Sequence, residues 1–203
     1  ELERNAHVHD SLRNELDSIM TFAHLSDREK ALGQILQFRF QVMWDENLDG
    51  SLADQALEYY NRHHDQRMLA WCHIARGVYL AYQLEKYDES IQELKLAEEL
   101  AMPLHDRVLK YYICQYVGQS NHLIQNYERA LKYALQVIDY CKTLSDTSKL
   151  VIGLNNLATA YALASIANGD KSLMDSAALN IRRCIPLMDY MDNHSPGKPF
   201  IYG

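Results

Sequence analysis

The stretch Asp45-Glu46-Asn47-Leu48-Asp49-Gly50 has the spacing D-x-[DN]-x-[DN]-G that opens a calcium-binding loop between two helices. Three side-chain oxygens and the glycine turn are in place, and Leu52 fits the apolar eighth position. The twelfth position decides the matter, because a Glu there gives calcium two of its about seven oxygen ligands. Ala56 stands at that place, so the stretch reads as an acidic loop between helices. Three His-Asp dipeptides obey a second logic: His9-Asp10, His64-Asp65 and His105-Asp106. Asp65 and Asp106 each precede an apolar-periodic stretch, where a carboxylate at a helix start is stabilised by about 0.3–1 kcal/mol. Helix-start chemistry accounts for them without a metal. His7-Val8-His9 reads as an exposed pair near a chain end. His63-His64 and Cys72-His73 bring zinc ligands together at no recognised spacing. There is no G-x-S-x-G, no glycine-rich phosphate loop and no Walker-type lysine. No cofactor and no metal is expected.

The four cysteines, Cys72, Cys114, Cys141 and Cys184, are widely spaced, without a C-x-x-C pair. Each sits in an apolar helical context, where Cys behaves as a small hydrophobe. They predict buried thiols in a reducing, cytoplasmic setting rather than a disulfide framework.

The chain of 203 residues is long enough to bury a core, and its 48% apolar content argues against disorder. Eight Gly and four Pro are too few for a turn-rich β architecture. A formal charge of −7 provides no electrostatic footprint for nucleic acid or for an anionic membrane surface. No run of 18 or more apolar residues occurs, so no membrane insertion is expected. The chain opens at Glu1 without a Met, which predicts a piece of a longer protein or a processed product.

Periodicity then supplies the elements. Residues 1–24 read as one helix with a stripe of Leu12, Leu16, Ile19 and Ala23. It is expected to pack on the first helix pair, or to serve as a homodimer contact. Ser26 with Glu29 three places on forms a capping box and opens a helix to about Trp44. Leu32, Ile35, Leu36, Phe38, Phe40, Val42 and Met43 make that helix apolar all round, which predicts burial on more than one side. Further helices are expected from Leu52 to about His63, Asp65 to Gln83, Tyr87 to Ala101, His105 to Ile124, Tyr127 to Leu144, Thr147 to Ala167 and Ser172 to Met191. Asn168-Gly169-Asp170 is a stop signal between the last two. The tail from Asn193 holds Pro196, Gly197 and Pro199 and cannot continue a helix.

Two motifs repeat. Tyr87-Asp88-Glu89-Ser90-Ile91 and Tyr127-Glu128-Arg129-Ala130-Leu131 share Tyr-x-x-(small)-apolar, and Asn156-Leu157-Ala158-Thr159-Ala160-Tyr161 has small and aromatic residues at helical spacing. These strings resemble the second and first helices of a tetratricopeptide repeat (TPR). Aligned on the small residues Ala56, Ser90, Ala130 and Ala177, the helix pairs are spaced by 34, 40 and 47 residues. The first spacing equals the TPR period of about 34; the others make a degenerate array. The resemblance covers about Asp27 to Met191.

It implies an all-α, TPR-like right-handed solenoid: an N-terminal helix over 1–25, four antiparallel helix pairs over 26–192, and a linker-like tail over 193–203. It also implies a non-catalytic module that holds a protein or peptide in a concave groove lined by the first helices. In that frame the groove residues are Cys72, Tyr79 and Tyr82, then Tyr112, Gln115, Gln119 and His122, then Asn155, Asn156 and Thr159. Amides and hydroxyls suit an extended peptide because they donate and accept together. Asn156 matches the Asn of the carboxylate clamp of chaperone-binding TPRs, and Arg76 is a candidate cation; the clamp's other cations have no equivalents. The stretched periods, N-terminal helix and tail also resemble degenerate arrays in bacterial signalling proteins, placed ahead of kinase or diguanylate-cyclase output domains. The alternatives are a permanent scaffold, or an all-helical hydrolase resembling the HD-type metal-dependent phosphohydrolases, whose ligands include a His-Asp pair.

Overall fold

The computed structural model describes residues 2–22, 24–43 and 47–194. Among them the chain is all-α, with nine helices and no strand. They are α1 (Leu2–Met20), α2 (Asp27–Met43), α3 (Gly50–His63), α4 (Gln66–Tyr82), α5 (Tyr87–Ala101), α6 (Arg107–Leu123), α7 (Tyr127–Leu144), α8 (Thr147–Asn168) and α9 (Lys171–His194). The last runs past the expected end, with Pro186 inside it. Trp44, Asp45, Glu46, Ala23 and the tail from Ser195 lie outside the described residues.

Side chains that satisfy free N–H groups start most of these helices. The Ser26 amide donates to Glu29 Oε2 at 2.8 Å, and the Glu29 amide donates back to Ser26 Oγ at 3.3 Å. Asp65, Asp106 and Asp146 accept from the amides of Met68, Leu109 and Lys149, and Asn126 accepts from Arg129. Asp65 and Asp106 are therefore the helix caps expected from sequence. Asp49, from the acidic loop, caps α3 by accepting from the Ser51 amide at 2.9 Å.

Five helix ends turn through positive φ, at His64, Glu85, Gln125, Ser145 and Gly169. Only the last is a glycine, so four of these stops carry no Gly signal in the sequence. A side chain in the left-handed region costs about 1–2 kcal/mol. Gln125→Gly, at an exposed site with φ 60°, is expected to stabilise the chain by up to about 1 kcal/mol. Urea unfolding checks it; a lower midpoint contradicts it.

The chain divides into two compact units, 1–104 and 105–203. In the first, α2 packs on α3, α3 on α4, and α4 on α5, while α2 also touches α4. In the second, the order is the same: α6 on α7, α7 on α8, α8 on α9, with α6 touching α8. Each unit is thus two helical hairpins whose first helices lie side by side.

Two of the four small residues, Ser90 and Ala130, face the first helix of their own hairpin. Ala56, Ser90, Ala130 and Ala177 are all buried. In the first unit Gly77 of α4 lies against Ser90 and Leu94 of α5; a Cβ there would stand 3.2 Å from the Ser90 carbonyl oxygen. In the second, Gly118 of α6 faces Ala130, Tyr133 and Ala134 of α7. Leu154, Leu157, Ala134, Ile138 and Cys184 form one core cluster of that unit, and Tyr111, Cys114, Val137 and Cys141 another.

Two expectations are refined. Helix α2 is buried on two sides, through Ala31, Ile35 and Phe38 on one and through Gly33 on the other, but not all round. Leu32 and Leu36 are each 43% exposed, and Met43 is exposed as well. The cause is that α1 meets α2 near its own C-terminal end, where Met20 Sδ lies over Gly33 and Gln37 donates to Asp17. The α1 stripe is itself largely uncovered, with Leu12 and Ile19 exposed. Second, α8 is long and apolar enough, by length and composition, to cross a membrane. Scattered polar residues such as Asn155 and Asn156 break its apolar run without lowering its average much. Here it packs between α7 and α9.

Candidate functional site

The second unit brings most of the expected groove residues onto two touching helices. Tyr112, Gln115, Gln119 and His122 come at three- and four-residue steps on α6, which places them on one face. On α8, Thr159 lies four residues after Asn155 and three after Asn156, so it shares a face with each of these consecutive amides. Leu109, Ile113 and Val117 of α6 and Leu154, Leu157 and Ala158 of α8 are buried. The polar residues are the half-buried or exposed remainder.

Their surroundings differ. The Tyr112 ring packs on the Tyr111 cluster, edge-on to Tyr111 at 5.0 Å and stacked towards Tyr116 at 6.3 Å. His122 stands edge-on to Tyr127, and its burial lowers its pKa below the usual 6.5, so the ring is uncharged at neutral pH. These two serve packing first. Thr159 Oγ1 donates to the Asn155 carbonyl at 3.1 Å. Gln115 is the one whose chemistry is incomplete: its Oε1 is buried and accepts no hydrogen bond. An amide oxygen removed from water without a donor costs about 1–3 kcal/mol.

A cavity of about 330 Å³ in the same unit lies elsewhere, beside α7, lined by Arg107, Gln136, Asp139, Tyr140 and Thr143. None of the expected groove residues lines it.

In the first unit the groove expectation is corrected at Cys72, which is fully buried. The physical reason is register: its neighbour His73 occupies the half-buried position. Tyr79 is half-buried with its ring against Gly50 at the start of α3, and Tyr82 is half-exposed. Arg76 is also reassigned. Its Nε lies 3.1 Å from Asp54 Oδ1 and its Nη1 lies 3.4 Å from Glu93 Oε1. A guanidinium held by two carboxylates is a poor seat for a third.

That pairing belongs to a network that sequence reading missed. His73 Nδ1 meets Glu93 Oε2 at 2.7 Å, with both side chains 15% exposed. Asp54, His73, Arg76 and Glu93 thereby tie α3, α4 and α5 together. Burial pushes the Glu93 pKa up, but the His73 hydrogen bond and the Arg76 charge outweigh it and hold the carboxyl below its ordinary value. The spacing Arg76 to Glu93 is not local to one helix, so no sequence signal marks it.

All four thiols are buried. Burial raises the pKa of Cys72, Cys141 and Cys184, the first two to about 12. A thiol-disulfide reagent is expected to label none of the four in the native chain at neutral pH, and all of them after denaturation. Rapid labelling of even one native thiol contradicts this packing. Among the described residues no three His, Cys, Asp or Glu side chains converge to hold a metal ion. No protein-family model matches the chain, and no curated protein matches it either.

Proposed function

We propose that this chain is a non-catalytic, TPR-like module that binds a protein or peptide, with an extended segment lying across α6 and α8 of the second unit. The observation that carries the reading is Gln115 Oε1, a buried acceptor without a donor on a face otherwise made of Tyr112, Gln119, Asn155, Asn156 and Thr159. Turning the half-buried Gln115 side chain outward would bring this oxygen to a peptide N–H and relieve its burial, and Asn155 and Asn156 offer both donors and acceptors to the peptide's remaining backbone groups. The hairpin order within each unit, with first helices in contact, supports the same reading. A regulatory or sensor role within a larger signalling protein rests on the family resemblance alone.

The test is selection of short random peptides displayed against the full chain. Selected peptides are expected to lose about tenfold in affinity for Gln115→Ala and again for Asn156→Ala, the loss of one hydrogen bond each to a buried partner. Glu58→Ala, at an exposed position of α3 in the first unit, is expected to change nothing. Failure to enrich any peptide, or enrichment of peptides indifferent to Gln115 and Asn156, overturns the reading.

A further inference from the structure

Helix α9 carries two apolar faces, and its own unit uses one. Ala177, Asn180 and Cys184 are buried against the rest of the unit. Rotated from them, Met174, Ala178, Ile181, Ile185 and Met188 come at steps of four, three, four and three residues. All five are exposed: Met174 42%, Ile181 43%, Ile185 53% and Met188 37%, with Ala178 alongside. A step that averages 3.5 residues keeps a stripe straight along a supercoiled helix, which is the seam of a two-helix coil.

The preceding hairpin shows what such a face does here. With Ala130 and Ala177 in equivalent seats, Ile181, Ile185 and Met188 correspond to Ala134, Ile138 and Cys141 of α7. Those three are buried, and Ile138 and Cys141 lie against Gly153 of α8. The face that on α7 holds the next helix is bare on α9.

We propose that its occupant is α9 of a second copy, antiparallel, about a two-fold axis. Charge complementarity sets the register. With Met174 opposite the partner's Ile185 and Ala178 opposite the partner's Ile181, symmetry makes four apolar layers. Asp175 then stands on the same side of the seam as the partner's Arg182 and within two residues of it along the axis, and Arg182 likewise beside the partner's Asp175. Sliding by one heptad sets Asp175 beside the partner's Asp189 and Arg182 beside the partner's Arg182, two like-charge contacts. That slid register also needs Met188, which lies beyond Pro186, a residue with no N–H to give the helix. The favoured register uses only residues up to Ile185. The contact is self-complementary, so it closes at two copies.

Sedimentation of the full chain tests it. The wild type is expected to be a dimer, and Ile181→Glu/Ile185→Glu a monomer with an unchanged helical spectrum, since both side chains are exposed in one copy. Asp175→Arg alone and Arg182→Asp alone are each expected to weaken the dimer roughly tenfold, as attractive exposed pairs become repulsive. The double swap Asp175→Arg/Arg182→Asp restores it. A monomeric wild type at high concentration overturns the proposal. So does a dimer that survives Ile181→Glu/Ile185→Glu, or one that the α1 substitution Leu12→Glu abolishes. Failure of the double swap to restore association overturns the register.

Discussion

Gly77→Val is expected to cost the first unit about 3 kcal/mol, at the upper end of overpacking penalties. A Cβ on Gly77 would lie 2.8 Å from Leu94 Cγ and 3.2 Å from the Ser90 carbonyl oxygen. Leu94 is fully buried and the carbonyl is helix backbone, so neither wall can rotate away. The equivalent glycine of the second unit behaves differently. A Cβ on Gly118 would stand 3.4 Å from Tyr133 Cβ and farther from everything else, an ordinary contact. Gly118→Ala is therefore expected to be neutral or to stabilise by about 0.5–1 kcal/mol, because glycine weakens a helix interior. Thermal unfolding of Gly77→Ala, Gly77→Val and Gly118→Ala measures both. The sign difference between the two alanine variants is the sharp part: equal effects would mean that the two crossings are not built as described.

Removing Glu93 is the second large effect. Glu93→Ala strips His73 of its acceptor and Arg76 of one of its two carboxylates, at a site where the pair is only 15% exposed. Breaking a fully buried ion pair costs about 3–5 kcal/mol; Arg76 keeps Asp54 and the site is not sealed, so about 2 kcal/mol is expected. The acid dependence has a definite sign. The carboxyl pKa in the folded chain lies below its ordinary value of 4.5. Its contribution is therefore fully present above pH 4.5 and fades as the pH falls through the lowered folded value. Denaturant unfolding of wild type and Glu93→Gln should differ most at neutral pH and converge in acid. A gap that does not close as the pH falls well below 4.5 would show that Glu93 is not held as an anion by His73 and Arg76.

The helices were legible because their signals are local. Ser26 with Glu29, and Asp65 and Asp106 ahead of apolar stretches, mark starts that the backbone obeys. The small residues Ala56, Ser90, Ala130 and Ala177 mark the burial sites within hairpins. Sequence pattern is weaker where one helix position matters. Cys72 and His73 differ by about 100° around α4, and the groove frame picks the wrong one. It is blind where a partner sits on another helix: nothing near Arg76 in the chain announces Asp54 or Glu93. The α9 seam is present in the sequence, but its meaning depends on which of its two stripes the unit covers.

The position of α8 between α7 and α9 has a consequence for how the chain is made. Its most apolar helix emerges from the ribosome before α9 exists to cover it. At a synthesis rate of about 5–20 residues per second, the stretch from Lys171 to Cys184 and beyond takes on the order of a second or more to appear. During that interval α8 has α6 and α7 to lean on but lacks α9, so the nascent second unit should be a client for chaperones that shield apolar helices.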